Sequence, residues 1–337
     1  MVGRQPAPYP MVATRDKGDL PMLEDRIKGA KFLVTGGAGF IGSHTVDTLV
    51  EQGGRVVVVD NLSTGQEQNL NPRAKFYCMN LADESLGDVL ECEKPDVIYH
   101  FAFYVLVPKS VENPLLDIDV LTGTLRMLQK AKDIGVQRII FASSGFLYGN
   151  TPNLPATEEC PVDPVSPYVI AKHAIENYLK FYYNTYRLPY VVLRYAAVYG
   201  PRQVTGAMAD YIRKLSSGDQ ADIWGDGTKT RDYVFIQDIV RANLLALTVP
   251  ADHPNPVFNI GTGIETTLNT IYQTIADILG VEAKPIYHPD RAAEQLRYSL
   301  DISKARRELA WEPRCELDEG LRTTVLAYTT RRSSQRP

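Results

Sequence analysis

At 337 residues, 44% apolar and 23% charged, the chain has the composition of an ordinary globular protein, long enough for one large domain or two smaller ones. A formal charge of −4 gives no electrostatic basis for binding nucleic acid or an anionic membrane surface. No apolar run approaches a membrane span, and Cys78, Cys92, Cys160 and Cys315 are scattered without ligand pairing or a disulfide framework, as expected of reduced thiols in a cytoplasmic protein.

Residues 1–29 carry Pro6, Pro8, Pro10, Arg15, Asp16 and Lys17 and lack the apolar core of a signal peptide, so they read as a flexible N-terminal extension. From Lys31 the pattern alternates. Strands are predicted at 31–35, 55–60, 74–79, 96–100, 137–142 and 190–195, with helices near 40–52, 84–93, 113–134 and 167–186. Short Val- and Ile-rich strands between long amphipathic helices predict an α/β fold, a Rossmann-type doubly wound parallel sheet covered on both faces. In such a sheet, substrate chemistry belongs at the carboxyl ends of the strands, near the switch point. Beyond Gly200 the elements shorten, with turns at Gly218, Gly225-Asp226-Gly227 and Pro254, and no linker intervenes. The expected organisation is a dinucleotide-binding domain over 30–200 and a smaller lobe over 201–337 that mainly binds substrate.

The first strand runs into Val34-Thr35-Gly36-Gly37-Ala38-Gly39-Phe40-Ile41-Gly42. Gly36, Gly39 and Gly42 fall where strand turns into helix, which lets a phosphate approach backbone N–H groups at the positive end of the helix dipole. The second strand, Arg55-Val56-Val57-Val58-Val59, ends in Asp60, at roughly the 20-residue offset of a ribose-binding carboxylate. This constellation predicts a dinucleotide site. A carboxylate at Asp60 repels a 2′-phosphate and so selects NAD over NADP.

Further on, Pro167 opens a helix in Ser166-Pro167-Tyr168-Val169-Ile170-Ala171-Lys172, placing Tyr168 and Lys172 one turn apart on one face. A phenol with a pKa of about 10 is a poor base at neutral pH, and a neighbouring ammonium brings it into range. The pair alone is equally consistent with packing and a solvated charge. A hydroxyl source lies just before it, at the end of the preceding strand, in Ala142-Ser143-Ser144-Gly145-Phe146-Leu147-Tyr148-Gly149.

Together these segments resemble the extended short-chain dehydrogenase/reductase family, in its nucleotide-sugar epimerase and dehydratase branch. The resemblance spans residues 31 to about 325. It includes Asp60-Asn61-Leu62-Ser63-Thr64-Gly65, Tyr199-Gly200-Pro201-Arg202-Gln203, Gly225-Asp226-Gly227-x-x-Thr230-Arg231-Asp232-Tyr233 and Phe258-Asn259-Ile260-Gly261-Thr262-Gly263. The resemblance implies NAD as cofactor, on Gly36, Gly39, Phe40, Ile41, Gly42, Asp60, Asn61, Ser63, Thr64, Gly65, Asn80, Leu81, Phe101 and Ala102, with Tyr168 and Lys172. Ser144, Tyr168 and Lys172 are the implied catalytic trio. Ser144 and Tyr168 also face the substrate, and Arg231 and Arg291 are the implied clamps on its diphosphate, a surface ion pair being the plainer role for either arginine. No metal ligand set is expected.

Dehydratases of this branch usually carry an Asp-Glu pair after the catalytic hydroxyl, and decarboxylating members a Glu. Here the positions are Gly145 and Phe146, which move no proton. The implied chemistry is therefore reversible oxidation at C4: an NAD-dependent 4-epimerase of a UDP-hexose, of glucose/galactose or glucuronate type. Alternatives are another dehydratase or reductase of nucleotide sugars, or a non-catalytic NAD-binding regulator. The chain departs from the family pattern at Asn80, at Phe103 (usually a small residue), at Val120 and at Ala197 (both usually Asn). Tyr148, Trp224 and Trp311 read as packing residues. The helices near 113–134 and 167–186 carry more apolar surface than one sheet face needs, including Tyr178, Phe181, Tyr182 and Tyr186 on the second, and the resemblance implies that they form a four-helix homodimer contact.

Overall fold

A computed structural model describes residues 20–103, 107–282, 284–290 and 295–334. Helix α1 (Leu20–Ile27) leads into β1 (Lys31–Thr35), α2 (Phe40–Glu51), β2 (Arg55–Asp60), β3 (Lys75–Cys78), α3 (Leu86–Glu93) and β4 (Val97–His100). Then come α4 (Val107–Glu112), α5 (Leu115–Ile134), β5 (Arg138–Ser144), α6 (Pro167–Tyr186) and β6 (Tyr190–Tyr195). The remainder comprises β7 (Ala197–Tyr199), α7 (Ala207–Leu215), β8 (Asp222–Trp224), β9 (Thr230–Arg231), β10 (Tyr233–Phe235), α8 (Ile236–Leu245) and β11 (Val257–Ile260). It closes with β12 (Thr266–Thr267), α9 (Leu268–Leu279), β13 (Ile286–His288), α10 (Ser303–Glu308) and α11 (Leu317–Ser334).

The main sheet has seven parallel strands in the order β11-β6-β5-β4-β1-β2-β3. Strand order reverses between β1 and β4, where Thr35 pairs with His100, and this is the switch point at which a doubly wound sheet opens a crevice. Strand residues alternate between faces. Phe32, Val34 and Tyr99 enter one apolar cluster with Val46 and Leu49 of α2, while Leu33, Ile98 and Phe141 enter the other with Met127 of α5 and Leu179 of α6. Burial on both faces is why these strands read as continuous apolar runs.

Two segments depart from the sequence-based organisation. β11 lies within 201–337 yet pairs with β6, from Val257 opposite Val192 to Ile260 opposite Tyr195. The chain returns through α8, packed beside α2, because β6 would otherwise leave an open apolar edge; Phe258 and Ile260 are fully buried there. The smaller lobe is therefore interrupted by a strand of the first domain. At the other end, residues 20–29 do not form a loose extension: α1 folds against the body, with Ile27 fully buried in the cluster that holds Val50 and Val56. The rest of the expected extension lies outside the described residues. Among the described residues no helix is long and apolar enough to cross a membrane.

Candidate active site

A cleft of about 940 Å³ opens at the carboxyl ends of the central strands, with the smaller lobe as its far wall. One end is built almost entirely from backbone turns. Gly36, Gly39, Phe40, Ile41 and Gly42 follow β1, Asp60, Asn61, Ser63 and Thr64 follow β2, Asn80 and Leu81 follow β3, and Phe101 and Ala102 follow β4; all line the cleft. Gly36 adopts φ +72°, and a Cβ there would lie 2.7 Å from the Ala102 nitrogen. A Cβ on Gly42 would lie 2.1 Å from the Gly36 oxygen. The first turn of α2 thus sits directly beneath the β1 turn, and no side chain caps it. Its N–H groups are left for an anion.

Asp60 is 7% exposed and accepts hydrogen bonds from the Ala38 N–H (3.0 Å) and the Leu62 N–H (2.8 Å), tying the two turns together. Burial pushes its carboxyl up, and these N–H donors oppose that rise. Gly65 is not on the cleft wall; it backs Asp60, where a Cβ would lie 2.8 Å from Oδ1. The glycine cradle, the uncapped helix end and the carboxylate on the wall fit a dinucleotide, with phosphates on the turn and a ribose on Asp60.

Behind this end lies a hydrogen-bond chain that the sequence does not announce. The Ala102 N–H donates to Thr35 Oγ1 (3.2 Å), which bonds His100 Nδ1 (2.8 Å). His100 Nε2 bonds Thr124 Oγ1 (2.9 Å), which donates to the Val120 oxygen (2.7 Å). Since Thr124 spends its proton on Val120, Nε2 is the protonated nitrogen and Thr35 donates to Nδ1. Burial, and then the Lys172 charge, hold His100 down at about 3, so it is a neutral strut locking β1, β4 and α5 together. The only sequence signal is a histidine ending an otherwise apolar strand.

At the other end of the cleft, Ser144, Tyr168 and Lys172 come together on one wall. β5 runs two residues beyond the expected end at 142, so Ser143 and Ser144 point to opposite faces. Ser144 Oγ accepts from the Phe146 N–H (3.2 Å) and shares the cleft wall with the Tyr168 phenol. Burial pushes Tyr168 above its ordinary value, which the Ser144 hydroxyl partly offsets. Lys172, 3% exposed, donates to the Ala142 oxygen (2.5 Å), and burial pulls it down to about 7. Ser143, on the hidden face, donates to Glu176 (2.5 Å), which Arg194 grips with Nε (3.0 Å) and Nη2 (2.6 Å). Arg194 also donates to the Tyr148 oxygen (2.8 Å), and Tyr148 donates to Asn259 (2.7 Å). Tyr148 is therefore a member of a buried polar network that ties β5, α6, β6 and β11 beneath the trio.

Arg231 lines the cleft, with its guanidinium 5.9 Å from the Phe146 ring and no carboxylate partner among the described residues. Its neighbour Asp232, fully buried, accepts the N–H groups of Thr262 (2.7 Å), Gly263 (2.9 Å) and Leu300 (3.2 Å) and the Thr262 hydroxyl (2.6 Å). That clamp sets the direction of β9 and so the place of Arg231. Arg291 lies outside the described residues. Gly145 faces a closed wall: a Cβ there would lie 2.1 Å from Tyr298 Oη, and Tyr298 stacks on Phe146 at 4.9 Å between centroids. Trp311 is fully buried and packs as expected, whereas Trp224 lines the cleft and stacks on His288 at 4.7 Å.

A family model, the NAD dependent epimerase/dehydratase family, matches residues 32–261. A protein named putative UDP-glucose 4-epimerase from Methanocaldococcus jannaschii is 40% identical over 299 residues, covering 87% of this chain and 96% of its own. The UDP-glucose 4-epimerase of Mycolicibacterium smegmatis is 40% identical over 304 residues, again covering 87% of this chain and 96% of its own. The crystal structure of a UDP-glucose 4-epimerase from Thermotoga maritima with UDP-glucose superposes with a TM-score of 0.86 at 42% identity, covering 89% of this chain and 99% of that one. The chain belongs to the NAD dependent epimerase/dehydratase family, and its cofactor is NAD.

Proposed function

We propose that the protein is an NAD-dependent 4-epimerase of a nucleoside-diphosphate hexose, a UDP-sugar of the glucose/galactose or glucuronate type. The observation that carries this reading is Gly145. Elimination across C5 and C6 needs a proton-transferring side chain after Ser144, and here that space is filled by the Tyr298 phenol and the Leu300 side chain. The names of the relatives at 40% identity support the same reaction.

The turns described above would hold NAD, which would supply a reversible hydride acceptor. Tyr168 takes the C4 hydroxyl proton, directly or through Ser144, and returns it when the reaction reverses. The Lys172 ammonium stabilises the phenolate, which burial alone would disfavour. Arg231, which lines the cleft, and Arg291 by resemblance hold the diphosphate while the 4-keto sugar turns over. A C4-deuterated UDP-hexose is expected to yield its epimer with deuterium still on C4. Exchange of that label into water would end the reading, because it would mean a carbanion route.

A homodimer is part of the proposal. Leu115 and Ile118 on α5, and Ile170, Tyr178 and Phe181 on α6, are exposed on adjoining helices, a patch suited to a second copy. Light scattering that gave a monomer at micromolar concentration would remove it.

A further inference from the structure

Besides the place on NAD that the resemblance gives it, Lys172 has a protein surrounding of its own to account for. An ammonium 3% exposed, whose one hydrogen bond is to a backbone oxygen, tends to shed its proton, and burial pulls this one down to about 7. Glu176, one turn further along α6, does favour the charge, but both its oxygens are already gripped by Arg194 and Ser143.

Two other groups surround the ammonium. The Phe103 ring, 8% exposed, lies face-on with Nζ 4.0 Å from its centroid, closer than Phe141 at 4.8 Å or Tyr168 at 5.7 Å. The same ring meets Tyr168 edge-on, at 5.1 Å and 88°. Phe103 thus touches both members of the pair, at a position where the family usually has a small residue. On the other side, α4, α5 and α6 pack together, and Asp117, in the first turn of α5, is 2% exposed at their junction. Its Oδ2 accepts from Ser110 (2.5 Å), while Oδ1 is buried without a hydrogen-bond partner among the described residues. An unpartnered oxygen on a buried carboxylate costs stability unless a positive charge compensates it. The Lys172 charge opposes the rise that burial gives Asp117, and Asp117, after Glu176, holds Lys172 up, while it also pushes the Tyr168 phenol up. The remaining groups leave this pairing undisturbed: His100 is neutral, and Lys109, Glu112 and Asp119 on α4 and α5 are exposed.

We propose that Phe103 and Asp117 are positioning residues that keep Lys172 protonated in its buried place, the ring by its negative face and the carboxylate by its charge. Beside NAD and Glu176, they replace part of the solvation that Lys172 gives up to stand beneath the phenol. The proposal about the ammonium stands on its own geometry; only its kinetic consequence rests on the epimerase reading.

The test uses the NAD-loaded protein with lysines carrying carbon-13 at Cε, the Lys172 resonance being assigned by its loss in Lys172→Met. In Phe103→Leu and in Asp117→Asn, the titration midpoint of Lys172 is expected to fall by about one pH unit, whereas Phe103→Tyr, which keeps the ring face, leaves it in place. With the sugar substrate present, the alkaline limb of kcat moves down by the same amount while KM changes by less than about twofold. A Lys172 midpoint unmoved in folded Asp117→Asn and Phe103→Leu overturns the proposal, as does a fall in Tm with no movement of the midpoint. Asp117→Asn is isosteric and carries the test if Phe103→Leu does not fold. The resonance needs no sugar, so a protein that titrates as expected but retains no C4 label would refute the epimerase reading and leave this one standing.

Discussion

The two ends of the cleft are equally tight but built of different material. At the cofactor end, a Cβ on Gly42 would meet the Gly36 carbonyl oxygen at 2.1 Å, and one on Gly36 would meet the Ala102 nitrogen at 2.7 Å. Those atoms belong to turns hydrogen-bonded into the sheet and cannot retreat singly. At the sugar end, a Cβ on Gly145 would also meet its neighbour at 2.1 Å, but that neighbour is the hydroxyl of a side chain, Tyr298. A wall of backbone constrains what binds through the path of the chain itself. A wall of side chains can be changed by substitution at a distance. The path of the chain therefore fixes the cofactor end, where the departures are Asn80 on the wall and Val120 behind it, while Phe103 and Ala197 are departures within the side-chain wall at the sugar end.

The largest expected effect follows from the backbone wall. Gly42→Ala forces the β1 turn away from α2, and beyond an overpacking cost of about 1–3 kcal/mol it removes the cradle itself. NAD retention through purification and turnover should both be lost; a variant that keeps NAD would break the contrast. Next comes Tyr168→Phe, which leaves every wall in place. Turnover is expected to fall by about 10²–10⁴ with NAD still bound, measured by single-turnover kinetics and cofactor content. The smallest effect belongs to the side-chain wall. Gly145→Ala should lower turnover by about tenfold, and adding Tyr298→Phe should recover part of it, because it removes the oxygen at 2.1 Å and leaves only the end of the flexible Leu300 side chain, at 2.8 Å, to shift. Failure of that rescue in a folded double variant would mean that Gly145 is held by its backbone after all.

Much of this was readable along the chain, for a reason of scale. The β1 turn, Asp60 and the Tyr168–Lys172 spacing are local: a strand, a turn and a helix place them within a few residues or one repeat of one another, so their pattern survives in the linear text. The same holds for the strand positions up to β6, where short apolar runs alternate with amphipathic helices. The return of β11 to the main sheet was not readable in that way, since Val257 to Ile260 is a short run much like those of the lobe around it. Nor was the burial of Ile27, which depends on where α1 lands.

By itself the sequence determined the doubly wound sheet, the dinucleotide turn and the one-turn spacing of Tyr168 and Lys172, because each rests on backbone conformation and side-chain period, while the resemblance joined Ser144 to that pair. Only the tertiary structure decided what surrounds that trio. Gly145 is closed by Tyr298, Arg231 is aimed by Asp232 through Thr262 and Leu300, and Lys172 sits between Phe103 and Asp117. These partners lie tens to more than a hundred residues apart, and no periodicity links them. Their meeting is a consequence of the packed fold, in which burial turns a distant ring or carboxylate into the nearest thing a charge can feel.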